Sequence, residues 1–284
     1  MSNDTGTLYI IATPIGNLED ISHRAVRLLA AVDLIAAEDT RHSRKLLQHY
    51  AISTRLISMH EHNERSKASA LVHLLLAGKC IALISDAGTP LISDPGLHLV
   101  RAAQLAGVRV VPVPGPCAAI AALSAAGLPS DRFSFEGFPP SRTAARAAFL
   151  QQLRQEPRTL IFFESPHRIE RSLEAMVAAF GSERPAALAR ELTKVFETIR
   201  RSTLAELYDW VRQQPTTAAT GEFVVLVQGA PATATAVDVD EAQRVLCVLL
   251  ANLPLKQAVA LTAQITGHKR RALYQKALAL RASG

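Results

Sequence analysis

Residues 80–90 read CIALISDAGTP, an apolar run that ends in a turn. The run predicts a buried strand over residues 80–85, and the residues after it predict a loop. Ligands of open α/β sheets bind at the carboxyl ends of strands, where this loop would lie. Gly88 allows a ligand to approach the backbone, Asp86 can accept hydrogen bonds, and Thr89 can donate one. The loop is therefore either a ligand site or a plain connection between a strand and a helix.

Two further loops of the same kind follow apolar runs. Residues 8–12 precede TPIG at 13–16, and residues 108–113 precede PGPCA at 114–118. Other elements are predicted between these strands: a strand over residues 33–37 and helices over residues 68–76 and 95–106. This alternation predicts an α/β fold with a mainly parallel sheet covered by helices. Three such loops at one edge of a sheet predict a pocket.

Prolines mark the end of this first region. Six of them lie between residues 112 and 140, a density that interrupts regular structure and indicates a domain boundary. Beyond it the pattern predicts a helix over residues 169–180 and strands over residues 158–164, 186–189 and 222–228. Residues 229–237, rich in Ala, Thr and Pro, predict a linker. The predicted parts are an N-terminal α/β domain (1–116), a C-terminal α/β domain (117–230), and a linker with a helical tail (231–284).

The bulk composition is that of a folded globular protein. Of 284 residues, 49% are hydrophobic and 20% are charged, which excludes a disordered chain. The net charge of +6 favours an anionic partner, nucleic acid first. Cys80, Cys117 and Cys247 form no CxxC pair, which fits a reducing compartment. Because no signal peptide and no membrane-spanning apolar run is apparent, we expect a cytoplasmic protein without membrane contact.

The C-terminal tail is basic. From Ala242 onward it contains seven Lys or Arg residues and no Asp or Glu, in a helical pattern. Lys269, Arg270 and Arg271 lie about one turn before Tyr274, so positive charge and an aromatic ring share one short helix. This combination predicts contact with the backbone and bases of RNA. The alternative is a solvated helix face with Tyr274 packed inward.

Two missing motifs narrow the class of cofactor. The sequence contains neither G-x-G-x-x-G nor G-x-x-x-x-G-K-[ST], the loops that hold the phosphates of dinucleotides and of ATP. A neutral or cationic nucleoside, held by backbone groups and an acidic residue, remains compatible with the three loops. S-adenosylmethionine is such a nucleoside.

Eight blocks of sequence point to one family. They read TPIGNLEDIS at 13–22, AEDTRHSRKLL at 37–47, HEHNE at 60–64, LISDAGTPLISDPG at 83–96, VPGPCAAIAALSAAGLPSDRFSFEGFPP at 113–140, FFESPHR at 162–168, ARELTK at 189–194 and GEFVVLV at 221–227. On these blocks the chain resembles the tetrapyrrole methylase superfamily over nearly its whole length. Within it the chain resembles the bacterial small-subunit ribosomal RNA ribose methyltransferase I family, because TPIG and SDAG replace the glycine-rich and GDP-type loops of the tetrapyrrole enzymes.

The resemblance implies a fold, a reaction and a set of site residues. It implies two α/β domains that enclose S-adenosylmethionine in the cleft between them, and a homodimer. The implied reaction is 2′-O-methylation of a cytidine, cytidine 1402 of 16S rRNA, in the small ribosomal subunit. The residues it places around the cofactor are Pro14, Asp86, Gly88, Thr89, Gly115, Cys117, Ala118, Phe163 and Ala189.

Methyl transfer to a ribose hydroxyl is an in-line displacement that needs no covalent nucleophile. A base that takes the hydroxyl proton would add about 10²–10⁴-fold. Candidates for catalysis lie in charged loops after predicted strands and at the rim of the second domain: Asp39, Arg41, Glu61, His62 and Lys194. The alternative for the loop at residues 38–41 is a solvated helix N-terminus with Asp39 or Thr40 as its cap.

Charged residues outside the tail extend the predicted RNA surface. Arg168 and Lys194 could clamp phosphate, together with Lys269, Arg270 and Arg271 of the tail. Surface ion pairing is the alternative for Arg168 and Lys194. Residues 60–62, His-Glu-His, resemble half of a metal site, but no further ligand cluster lies near them in the sequence. We therefore expect an RNA-facing loop there and no metal.

Two other functions compete with rRNA methylation. A small-molecule methylase of the tetrapyrrole type would share the cofactor cleft, but the basic tail without acids disfavours it. A non-catalytic RNA-binding or ribosome-assembly protein would keep the cleft as a relic. Intact Asp86, Gly88 and Gly115 disfavour that alternative.

Overall fold

The computed structural model describes residues 5–60, 62–214, 221–231 and 236–282. Contacts between Cα atoms divide the chain into two compact units, Met1–Gly229 and Ala230–Gly284. The first unit contains two five-stranded sheets with their helices, and the second is helical. The predicted α/β fold with a C-terminal helical segment is thus confirmed. Both sheets belong to one unit, so the boundary predicted near residue 116 stays a prediction.

The first sheet is parallel. Its strands are β1 (Thr7–Ile11), β2 (Leu34–Ala37), β3 (Leu56–Ser58), β4 (Ile81–Ile84) and β5 (Arg109–Val113). They lie in the order β3-β2-β4-β1-β5, and every described pair is parallel. β2 and β4 are buried along their whole length, because a parallel sheet is covered on both faces.

Helices cover the two faces of this sheet. They are α1 (His23–Ala31), α2 (Thr40–His49), α3 (Glu64–Leu76) and α4 (Leu97–Leu105). The next helix, α5 (Ala118–Ala125), packs on the second sheet. α1 and α2 pack with Ile35 and Ile84 on one face, whereas α3 and α4 pack with Leu34 and Leu83 on the other. Neighbouring strand residues alternate between the faces, as strand geometry requires. Because the strands are parallel, the carboxyl ends of all five lie at the same edge of the sheet.

The second sheet is mixed. Its strands are β6 (Phe133–Gly137), β7 (Thr159–Glu164), β8 (Pro185–Arg190), β9 (Thr198–Thr203) and β10 (Phe223–Val227). They lie in the order β6-β7-β10-β8-β9, with β6 and β7 parallel and the other three described pairs antiparallel. The connection from β8 to β9 is too short for the crossover that a parallel pair needs. The central strands β7, β10 and β8 are the three that the apolar runs predicted.

Three helices lie against the second sheet on one face. They are α6 (Thr143–Gln152), α7 (Ile169–Phe180) and α8 (Leu204–Gln213), and their core includes Phe162 and Leu173. On the opposite face α5 packs through Leu123 against Ile161 and Leu226, together with Ile15 from the loop after β1. This shared core joins the two sheets.

The second unit consists of three described helices, α9 (Ala236–Asn252), α10 (Leu255–Thr266) and α11 (Arg270–Ala282). Leu246, Val259 and Leu273 form its core, one from each helix. Gly267 ends α10 in the left-handed conformation, at φ 71°, which glycine adopts without strain. Part of the predicted linker, residues 232–235, lies outside the described residues.

In the part of the chain that the structure describes, no helix has the length and apolar composition needed to cross a membrane.

Candidate functional site

The loops after β1 and β4 are joined by a reciprocal pair of backbone hydrogen bonds. The Thr13 amide donates to the Gly88 carbonyl at 2.8 Å, and the Gly88 amide donates to the Thr13 carbonyl at 3.0 Å. Gly88 has φ +82°, a conformation that favours glycine. The Thr13 hydroxyl also donates to the Ser85 carbonyl at 3.2 Å. The two loops are therefore held as one rigid edge.

The loop after β5 is attached to the same edge. The hydroxyl of Thr89 donates to the carbonyl of Pro116 at 3.0 Å. Its proton is therefore used inside the protein and is not available to a ligand in this arrangement. The three predicted loops do lie together, at the carboxyl ends of parallel strands, where ligands of such sheets bind.

A cavity of about 370 Å³ opens beside these loops and is lined by residues from both sheets; we call it the first cavity. It contains six of the nine predicted cofactor residues: Asp86, Gly88, Thr89, Cys117, Ala118 and Phe163. Pro14, Gly115 and Ala189 are not among its lining residues.

Two of those three residues have a packing role. A Cβ on Gly115 would lie 2.9 Å from the Cβ of Ala12, so a larger residue would displace the end of β1. Ala189 is completely buried within the core beneath the second sheet. Ile15 lines the first cavity in place of its neighbour Pro14. Cofactor contact by Pro14, Gly115 and Ala189 stays a prediction.

The charged lining of the first cavity is entirely acidic. No Lys, Arg or His is among its described lining residues. Five carboxylates line it: Glu38, Asp86, Asp94, Glu164 and Glu222. Glu164 is neutralised, because its Oε1 lies 3.3 Å from Arg168 Nε and its Oε2 accepts from the Ser172 hydroxyl. Glu38, Asp86 and Asp94 give the cavity a negative potential.

The electrostatics reflect this crowding of carboxylates. Burial raises the pKa of Asp94 to about 6, with the charges of Glu38 and Asp86 adding to it and a hydrogen bond from Ser85 acting against it. Burial, followed by the charge of Asp86, also raises the pKa of Glu38. Perturbed carboxylates in a cleft are typical of functional sites.

Sequence reasoning missed Asp94, although a signal was present. The tetrapeptide LISD occurs twice, at residues 83–86 and 91–94, and its two aspartates line the same cavity. Leu91 and Ser93 have φ +73° and +66°, conformations that are uncommon for side-chain-bearing residues and concentrate at functional sites.

A second cavity, of about 590 Å³, adjoins the first. The two share Glu38, Ser93 and Asp94 as a common wall. Beyond that wall the second cavity is lined by His62 and Arg65 and by residues around the N-terminus of α4. Of the predicted catalytic residues, His62 lies here.

Asp39 and Arg41 interact with each other and do not line either cavity. Asp39 caps α2 by accepting from the Arg41 amide at 2.8 Å, and its side chain pairs with that of Arg41, which is 88% exposed. The backbone hydrogen bond from Arg41 and the Arg41 side chain lower the pKa of Asp39. The helix-cap alternative is therefore what the structure contains. Asp39 also supports the site, since its amide donates to Asp86 Oδ1 at 3.0 Å.

Ion pairing occupies the charged residues at the rim of the second sheet. Lys194 Nζ lies 2.8 Å from Glu191 Oε1 and 3.6 Å from Glu222 Oε2. Arg168 pairs with Glu164 and donates to the carbonyl of Pro139. Neither basic residue lines the two cavities. Their roles toward RNA or in catalysis stay predictions, and the remaining candidate, Glu61, lies outside the described residues.

In the second unit, Lys269, Arg270 and Arg271 are exposed. Arg270, Arg271 and Tyr274 of α11 line a cavity of about 540 Å³ together with Lys256 of α10. Tyr274 is 40% exposed, so it is not packed inward as the solvated-face alternative required.

Within the described residues, no three His, Cys, Asp or Glu side chains are grouped so as to hold a metal ion.

Comparisons with known proteins agree on one family. The family model of the tetrapyrrole (corrin/porphyrin) methylases matches residues 7–208, and a family model described as the RsmI C-terminal HTH domain matches residues 236–281. The chain is 60% identical to ribosomal RNA small subunit methyltransferase I of Pseudomonas aeruginosa over 275 residues, covering 96% of this chain and 97% of that one. It is 55% identical to the protein of the same name from Escherichia coli O157:H7 over 276 residues, covering 97% and 96%.

Solved structures share the fold at low sequence identity. The methyltransferase CobJ matches with a TM-score of 0.58 and 20% identity, over 80% of this chain and 95% of that one. Cobalt precorrin-4 methyltransferase CbiF matches with a TM-score of 0.55 and 19% identity, over 78% and 94%. The family model over residues 7–208 and the relatives at 60% and 55% identity show the family: the chain belongs to the tetrapyrrole (corrin/porphyrin) methylase family and, within it, to the family of ribosomal RNA small subunit methyltransferase I.

Proposed function

We propose that this protein is an S-adenosylmethionine-dependent methyltransferase that methylates the ribose 2′-hydroxyl of a cytidine in 16S rRNA of the small ribosomal subunit. The observation that carries the proposal is the acidic lining of the first cavity in a chain of net charge +6. An acidic cavity, which suits a cation, thus occurs in a chain whose net positive charge suits a polyanion. Ribosomal substrates are cytoplasmic, and the protein would act there.

The first cavity fits S-adenosylmethionine in charge and in surface. The cofactor carries a sulfonium and an ammonium group, which Glu38, Asp86 and Asp94 would attract. Phe163, packed edge-on against Phe135 with ring centroids 4.8 Å apart, offers an apolar surface for the adenine. The lack of basic residues among the described lining disfavours ATP and NAD, whose phosphates carry negative charge.

The basic second unit supports an RNA substrate. Its exposed Lys269, Arg270 and Arg271 can neutralise phosphates, and Tyr274 offers a ring for stacking. The relatives named above carry ribosomal RNA in their names, and the matched C-terminal family model is described as a helix-turn-helix domain.

For this reaction the protein has to position the cofactor and the ribose hydroxyl and to accept the proton of that hydroxyl. The bound cofactor would supply an activated methyl group. Glu38 lies on the wall shared by both cavities, where it could accept the proton of a hydroxyl held on the other side. Its raised pKa brings it nearer to the value that suits a general base. Glu38, which was not among the five catalytic candidates named from the sequence, is therefore our candidate base.

A transfer assay tests the proposed function. Purified small subunits from a strain that lacks the modification are incubated with the protein and methyl-tritiated S-adenosylmethionine, and the labelled nucleotide is identified after digestion. We expect label in 2′-O-methylcytidine. Absence of label in the RNA would refute the proposal, and transfer to a porphyrinoid would establish the tetrapyrrole alternative. Cofactor binding without any transfer would indicate an assembly protein.

The role of Glu38 has its own test. We expect Glu38→Gln to lower kcat by about 10²-fold, while the Kd for S-adenosylmethionine changes much less. Because Glu38 must be ionised to accept a proton, wild-type activity should fall as the pH drops through its raised pKa. The variant should lose this dependence. A kcat within twofold of the wild type would exclude Glu38 as the base.

We also propose a homodimer, as the family resemblance implies. Val195 and Phe196, between β8 and β9, are 92% and 77% exposed, which is costly in a monomer and suits contact with a second copy. Light scattering should give twice the chain mass of 30.6 kDa. Phe196→Ser should shift the mass toward one chain, and a monomeric wild type would contradict this proposal.

A further inference from the structure

The second cavity is polar and is lined by groups of both charges. Glu38 and Asp94 lie on the wall that it shares with the first cavity. The rest of its lining includes His62, Arg65 and His98, together with the carboxylate of Glu64. A nucleotide has the matching polarity, with hydroxyl and amino donors on the sugar and base and negative charge on the phosphate. The volume of about 590 Å³ lies within the usual range for small-molecule sites.

The guanidinium of Arg65 is held by a neighbouring side chain. Arg65 Nε donates to His98 Nε2 at 3.2 Å. This bond uses the inner nitrogen of the guanidinium. Among the described residues, the two terminal nitrogens of Arg65 have no hydrogen-bond partner, and the side chain is exposed. Two terminal donors of Arg65 are thus available in the lining of the second cavity.

A buried carboxylate fixes the elements that carry Arg65 and His98. Glu64, 4% exposed, accepts from the amides of His98 at 2.6 Å and Leu99 at 3.2 Å. The first turn of α3 is therefore bound to the first turn of α4. Because the Glu64 charge is compensated by these amides and the α4 dipole, it does not repel an anion beside Arg65.

We infer that the second cavity binds the acceptor nucleotide, with Arg65 hydrogen-bonding a phosphate of the RNA and the ribose hydroxyl lying at the wall formed by Glu38 and Asp94. This inference rests on the proposed function. Guanidinium groups bind phosphate oxygens through two parallel hydrogen bonds, which position a nucleic acid without reading its sequence. Arg65 is thereby a substrate-positioning residue, and the shared wall is where methyl donor and acceptor meet.

The substitution Arg65→Gln tests the inference. It removes the charge and the fork while leaving a polar side chain of moderate length. We expect the KM for small subunits to rise about tenfold, as for loss of a charge-assisted hydrogen bond. The Kd for S-adenosylmethionine, measured by calorimetry, should stay within twofold. Arg65→Lys should recover only part of the loss, because lysine keeps the charge and lacks the planar fork.

A matched control is available across the sheet. Arg27 is exposed on α1, which packs on the opposite face of the first sheet from α3. Arg27→Gln should leave both the KM and the Kd unchanged, and thermal melting should show that all three variants are folded. If Arg65→Gln methylates with the KM of the wild type, the inference is wrong while the proposed function stands. If the wild type transfers no methyl group to RNA, the proposed function itself is wrong.

Discussion

Three carboxylates, Glu38, Asp86 and Asp94, come together at the ends of β2 and β4. No basic residue among the described lining residues of the first cavity compensates them. Holding like charges in a half-buried place costs stability, which proteins tolerate where function needs it. The raised pKa values of Asp94 and Glu38 are the measurable sign of that cost.

Asp94→Asn should make the protein more stable at pH 8. The pKa of Asp94 rises from 3.8 to about 6 on folding, so the folded state keeps a proton that the unfolded chain releases. Stability is therefore lost as the pH rises from about 4 to about 6 and stays lower above that range. The amide removes this penalty, worth about 1–2 kcal/mol after allowance for solvent screening.

Urea unfolding at pH 8 and at pH 3.5 measures this effect. The gain should be present at pH 8 and absent at pH 3.5, where Asp94 is largely protonated in both states. Asp209→Asn, at an exposed position of α8, is the control and should give no such difference. Equal stability of Asp94→Asn and wild type at pH 8 would show that the carboxylate is not strained by its surroundings.

At the scale of elements, the site depends on turns that end strands. Gly88 takes part in the reciprocal hydrogen bonds with Thr13 while holding φ +82°. A Cβ there would lie 3.4 Å from Ile15 Cγ2, inside the wall of the first cavity. There are therefore two reasons why alanine at Gly88 should matter: its backbone conformation would be strained, and the added methyl group, although in ordinary contact with Ile15, would lie in the wall of the first cavity.

Gly88→Ala and Gly107→Ala separate these two reasons. Gly107 has φ +72°, and a Cβ at this position would have no neighbouring atom within 4 Å, so alanine there meets backbone strain alone. Both variants should lose about 1 kcal/mol of stability. Only Gly88→Ala should also weaken S-adenosylmethionine binding, by about tenfold in a calorimetric titration. Unchanged cofactor affinity in Gly88→Ala would mean that the loop does not contact the cofactor.

The sequence predicted the buried elements better than the edges. Uniform apolar runs revealed β4, β7 and β10 because burial on both faces demands them. The edge strands β6 and β9 were missed, since β9 carries Arg200 and Arg201 among exposed positions and β6 follows a proline-rich stretch. Charge and partial exposure remove the alternation that identifies a strand.

Some site residues could be predicted from the sequence and others could not. The three loops were predicted because glycine and proline at strand ends are recognisable in the local sequence, as at Gly88. Catalytic candidates were harder, because the direction of a side chain depends on tertiary packing. Asp39 turned out to cap a helix, and its neighbour Glu38 lines the cavities. The capping role of Asp39 was one of two alternatives that the sequence left open, whereas the position of Glu38 in the cavity walls could not be predicted from local spacing.

For the whole molecule, charge is segregated. The first cavity is acidic, whereas the exposed residues of α11 include Arg270 and Arg271. Cofactor binding and RNA binding should therefore respond differently to salt, because counterion release accompanies only the second.

Replacing Arg270 and Arg271 together by Gln tests this separation. Two lost phosphate contacts should lower the slope of log Kobs for RNA against log salt by about 1–2, with an unchanged Kd for S-adenosylmethionine. Lys276→Gln is the control on the same helix, because Lys276 Nζ is held by Gln243 Oε1 at 3.2 Å. An unchanged salt slope in the double variant would mean that this face of α11 does not bind RNA.

The acidic first cavity has a consequence for turnover. Its carboxylates attract positive charge, and the sulfur of the cofactor is positive only while it carries the methyl group. Once that group has left, the sulfur is neutral and the attraction is weaker by the Coulomb energy of the lost charge. If the proposed function holds, this pocket would favour the fresh cofactor over the spent one, and the same side chains that attract the donor would promote release of the by-product.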